Sequence, residues 1–148
     1  MHLPVPGARG HNRGMNHPRQ IGSAAAAYWA VVFAAAFALG VIRTLWLEPR
    51  IGELAAVACE VPLTLTLSWW TARRITARWE IAQGGSALAM GLIAFTILML
   101  AELTLARLMA GQSPGQWAAS LTTPAGVLGL GGQVLFGLMP WWVTGRGR

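Results

Sequence analysis

Residues 86–109 read SALAMGLIAFTILMLAELTLARLM, an apolar run interrupted by two charges, Glu102 and Arg107. Wound as an α-helix at about 1.5 Å per residue, the run reaches roughly 36 Å, enough to cross a hydrocarbon core of about 30 Å. The whole chain shares this character. Apolar residues make up 55% of it and charged residues 11%, against about 25% charged in a typical soluble domain. So few charges leave either little wet surface or a surface that faces lipid, and the length of the apolar runs decides for lipid.

Working outward from this run, three further spans are predicted. One covers residues 24–47, one residues 53–71 and one residues 124–143, with the quoted run as the third in chain order. Glu48, Pro49, Arg50 and Gly52 form the expected tight connection between the first two, because proline ends a helix or opens one. Arg73, Arg74, Arg78, Trp79, Glu80 and Gln83 form a polar second connection. Gly111, Gln112, Ser113, Pro114 and Gly115 end the third span, and residues 116–121 read as a short interfacial piece. Residues 1–22 hold prolines 4, 6 and 18 and glycines 7, 10, 14 and 22, and read as a disordered cytoplasmic tail. Residues 23–148 form one membrane domain. The fold class is all-α, a four-transmembrane-helix bundle.

Orientation follows from the arginines, since the chain has no lysine. With four spans, both ends and the second connection share one side. They hold eight arginines, at positions 9, 13, 19, 73, 74, 78, 146 and 148, against Arg43, Arg50 and Arg107 elsewhere. The positive-inside rule makes that side cytoplasmic, with both termini on it. The tryptophans near both expected interfaces agree with this layout.

The acidic residues are placed unusually. Glu48, Glu53, Glu60 and Glu102, four of the five acids, fall in the half away from the termini. Glu60 lies about 10 Å along the second span at 1.5 Å per residue. A charge near the bilayer centre costs about 2.5–3.5 kcal/mol on insertion scales, so a partner, a water cavity or a function has to compensate it. Glu53 and Glu60 are seven residues apart and share a helix face, which Thr64, Ser68 and Thr71 continue. Arg43 on the first span falls at the depth between them, beside the small residues Ala36 and Gly40. The expected site is an intramembrane cluster of Arg43, Glu53 and Glu60 with Glu102 as a further member, the guanidinium pairing with either carboxylate. Two roles remain open: fixing helix registry, or handling protons or ions, with Glu60 the candidate group.

Gly129 and Gly132, with Gly40, are expected to let helices approach closely. The glycines of the fourth span are no phosphate or dinucleotide loop, because no strand precedes them and no Lys-Ser/Thr follows. Cys59 is the one cysteine and reads as inert packing. The histidines, at positions 2, 11 and 17, all lie in the tail, and there is no aspartate. No nucleophile–histidine pair, HExxH or paired cysteines exist, so the sequence predicts no enzyme, no metal and no cofactor. The basic charge comes without a nucleic-acid-binding motif and is expected to serve membrane topology instead.

Gly40-Val41-Ile42-Arg43, Pro49-Arg50-Ile51-Gly52-Glu53 and Glu60-Val61-Pro62-Leu63, with Ser68-Trp69, Ala72-Arg73, Ala101-Glu102-Leu103 and Leu138-Met139-Pro140, form a pattern. It resembles a group of small uncharacterised bacterial membrane proteins, mostly alphaproteobacterial. The resemblance spans roughly residues 25–143 and implies a four-helix inner-membrane protein, with no activity attached. The functional expectation is a structural or accessory membrane component, partnered by lipid and by a homo-oligomer or a larger membrane complex. The alternative is a small proton- or ion-coupled permease acting as an oligomer.

Overall fold

The computed structural model describes residues 18–82 and 84–145. Its helices are α1 (Pro18–Ile42), a π-turn (Arg43–Leu47), α2 (Glu48–Ile51), α3 (Glu53–Arg78), α4 (Gly85–Ala110), α5 (Pro114–Ser120) and α6 (Pro124–Gly145). No strand occurs among the described residues. In lipid a helix satisfies its own backbone hydrogen bonds, which is why long apolar segments take this form.

Four helices are long and apolar enough to cross a membrane: residues 18–51 taken as one, α3, α4 and α6. Less than a quarter of the apolar window in each is buried within the protein. Many of the remaining apolar side chains, such as Leu45, Leu63 and Leu100, are more than half exposed. A bundle of this kind is stable where lipid covers that surface.

Several boundaries differ from those expected. The first helix already includes Pro18, ahead of the expected start at residue 24. Arg19 and Gln20 are therefore helical, and the Gln20 side chain donates to the Trp79 carbonyl oxygen at 2.5 Å. Residues 1–17, the rest of the expected tail, lie outside the described residues. Pro49 neither ends the first long helix nor opens the second. It sits in the first turn of α2, which continues the π-turn without a gap. The chain reverses at Gly52, whose φ of +81° is open to glycine and strained for other residues. Arg73, Arg74 and Arg78 belong to α3 rather than to a loop. Arg73 lies over the Trp69 ring at 4.9 Å and Arg74 over Trp70 at 4.3 Å. These one-turn pairs keep the cations beside amphipathic rings at the helix end.

In cross-section the helices run α1, α3, α6, α4 around a ring, with adjacent members packed together. The bundle is not equally dense along its length. Ala24, Ala25, Tyr28, Ala72, Ile75, Ala87, Met90, Phe136 and Met139 fill the end that carries Pro18 and Gly145, here called the terminal end. Small residues draw α4 and α6 together there. A Cβ on Gly91 would overlap the Gly137 carbonyl oxygen, and one on Gly137 would lie 3.1 Å from Phe95 Cβ. The opposite, distal half is looser and holds a cavity.

Candidate functional site

The cavity occupies about 290 Å³ in the distal half of the bundle. Its floor is Val32, Leu65, Leu98 and Phe136, directly above the packed core. Its walls carry Arg43, Glu53, Glu60, Glu102 and Gln133. Ser120 and Leu121, at the end of α5, border it at the distal end. That short helix is anchored by a capping box, in which the Gln116 N–H donates to Ser113 Oγ and the Ser113 N–H to the Gln116 side chain. Gly126 lets the α5–α6 turn tuck against α6, since a Cβ there would overlap the Ser120 carbonyl oxygen.

Arg43 is aimed by the π-turn. The Glu48 N–H donates to the Arg43 carbonyl oxygen five residues back. In a regular α-helix, residues five apart point about 140° from each other around the axis. The wider turn narrows that angle, and Arg43 Nη1 reaches Glu48 Oε2 at 3.2 Å. On its other side Arg43 Nε lies 2.6 Å from Glu60 Oε2. The Nε–H is not directed along that line, so the contact is one of charges rather than an aligned hydrogen bond. A single guanidinium thus joins carboxylates from α2 and α3.

The expected cluster forms in part. Arg43 and Glu60 pair as anticipated from their depth. Glu53 does not join them. It is exposed at the mouth of the cavity, and among the described residues no cation lies within ion-pair distance of it. The first turn of α3 puts it nearer the distal end than Arg43 reaches. Glu48, read from the sequence as part of a loop, takes its place. Glu102 faces the same cavity but accepts a hydrogen bond from Gln133 Nε2 at 2.5 Å, rather than pairing with Arg43. Gln133 Oε1 is buried without a donor.

The glycines separate by role. Gly40 sits one turn before Arg43, where a Cβ would lie 3.9 Å from Glu60 Oε1. Gly132 packs against Val61, whose Cγ1 would be 3.2 Å from a Cβ. Gly129 does not pack on a neighbouring helix: nothing lies within 4 Å of its Cβ position, and it lines the cavity. Cys59 is exposed on the outside of α3, so it faces outward rather than packing. No group of three His, Cys, Asp or Glu side chains suited to a metal ion exists among the described residues.

No protein-family profile, curated protein or solved structure matches the chain. Its chemistry is therefore read from the cavity alone. That cavity is a half-open vestibule, closed at one end by packed side chains. Ionisable groups stand partway along the helices, where only lipid would otherwise surround them.

Proposed function

We propose that this chain is a multi-pass bacterial inner-membrane protein with both termini cytoplasmic, working as a small solute- or ion-coupled permease rather than an enzyme. The observation that carries the reading is the vestibule. An arginine and three carboxylates line a half-open cavity in the distal half of the bundle, closed beneath by Val32 and Phe136. A pair that only fixed helix registry would need no cavity around it, whereas a binding site open to one side of the membrane does. With the arginine-rich end in the cytoplasm, the vestibule lies in the outer half of the membrane. Four helices enclose little pathway, so an oligomer is the expected working unit.

The accessory-component reading draws support from a different observation. Arg43 is already engaged by two carboxylates, as in a charge set that specifies packing. Reconstitution separates the two. In vesicles, a permease passes solute or protons, and Glu60→Gln abolishes that flux while expression and elution profile stay normal. An accessory protein shows no intrinsic flux and co-purifies with a larger complex.

A further inference from the structure

The vestibule is short of positive charge. Of the ionisable groups lining it, one is a guanidinium and three are carboxylates. Arg43 is shared between Glu60 and Glu48. Among the described residues, Glu102 has only the neutral Gln133 amide as a hydrogen-bond partner. Glu102 is therefore a cavity-lining carboxylate with no cation within ion-pair distance among the described residues, on a helix adjacent to that of the arginine.

Apart from Thr64 and Ser120, the rest of the lining is apolar. Phe33, Leu98 and Phe136 stand below Glu102. Gly129 leaves the α6 wall flat, with no side chain to fill the space. A bare divalent ion does not suit the site, since no three ligating side chains converge among the described residues. The volume of about 290 Å³ stands at the low end of the ~300–1,000 Å³ typical of small-ligand pockets. It is too small for a lipid or a peptide.

We propose that the vestibule binds a small protonated amine with an apolar body. The ammonium group supplies the missing charge and donates to the Glu102 carboxylate. The apolar body lies against Phe33, Leu98 and Phe136. This assignment deepens the permease reading and rests on it for transport, but binding is testable alone.

The test uses the full-length protein in lipid nanodiscs with three probes of nearly equal shape: benzylammonium, benzyl alcohol and benzoate. Ligand-observed NMR, with empty nanodiscs as the blank, reads binding of each. Benzylammonium is expected to saturate, and the neutral and anionic probes to bind at least about tenfold more weakly, the scale of losing a charged hydrogen bond. Glu102→Gln is expected to remove that preference, and Gly129→Phe to block all three probes by filling the cavity. Equal binding of benzylammonium and benzyl alcohol to the unaltered protein overturns the proposal without reliance on any variant. So does a charge preference that survives Glu102→Gln. Selective amine binding without flux in vesicles upholds the ligand class and removes the permease reading. Flux of another solute without amine binding upholds the permease and removes the ligand class.

Discussion

The hydroxyl of Tyr28 donates to the carbonyl oxygen of Phe136 at 2.9 Å, replacing a hydrogen bond that α6 cannot make. The helical donor for that carbonyl would be the N–H of residue 140, which is Pro140. Tyr28 is fully buried on α1, diagonally across the ring from α6. Its ring also stacks on Phe136, with centroids 4.6 Å apart and planes 9° from parallel. One side chain therefore mends a proline gap and holds the vestibule floor in place.

Tyr28→Phe keeps the stack and leaves the carbonyl buried without a donor. It is expected to cost about 1–3 kcal/mol, read as a lower unfolding temperature in micelles. Pro140→Ala returns an N–H to α6. In that background Tyr28→Phe should cost less, and a double-mutant cycle with no coupling would refute the link.

Gly91→Ala is expected to be severe, because its methyl group meets the Gly137 backbone and α4 cannot approach α6. Overpacking of this kind costs about 1–3 kcal/mol or more. Gly129→Ala, with open space around it, should stay within about 0.5 kcal/mol. Comparative thermal stability of the two purified variants checks the contrast.

Arg43→Ala leaves Glu60 and Glu48 without their shared cation. Breaking a fully buried pair costs about 3–5 kcal/mol, and an exposed pair about 0.2–1 kcal/mol. These side chains are 21–33% exposed, so an intermediate loss of about 1–3 kcal/mol is expected. Adding Glu60→Gln should recover part of it, measured as membrane yield and unfolding temperature.

Orientation has its own readout. In a Cys59→Ser background, Ala118→Cys on α5 should react with a membrane-impermeant thiol reagent added to intact cells. Ala77→Cys, at the arginine-rich end of α3, should react only after the cells are opened. The reverse pattern would invert the topology.

The four spans were legible because lipid exposure leaves a compositional mark that no packing detail can hide. The pairing of Arg43 with Glu60 was legible for a similar reason, since depth along two antiparallel helices follows from counting residues. Glu48 was not. Five residues from Arg43, it falls on another face of a regular helix, and nothing in residues 43–47 announces a wider turn. Gln133 was hidden among glycines that read as a packing stripe. The tight contact falls instead at Gly91 and Gly137, on helices whose order around the ring sequence spacing does not reveal. Pro140 did carry a readable signal: a buried proline in a helix frees the carbonyl four residues earlier and asks for a donor.

The π-turn makes the first long helix sensitive to length as well as to content. Winding residues 43–47 regularly without losing a residue would swing everything beyond them by about 100° and part Glu48 from the guanidinium. Removing one residue between Arg43 and Leu47 would instead set Glu48 four positions after Arg43, on the same face of a regular helix, and keep the direction in which Gly52 reverses the chain. A one-residue deletion there should therefore be tolerated better than a one-residue insertion, although neither alters a side chain of the site.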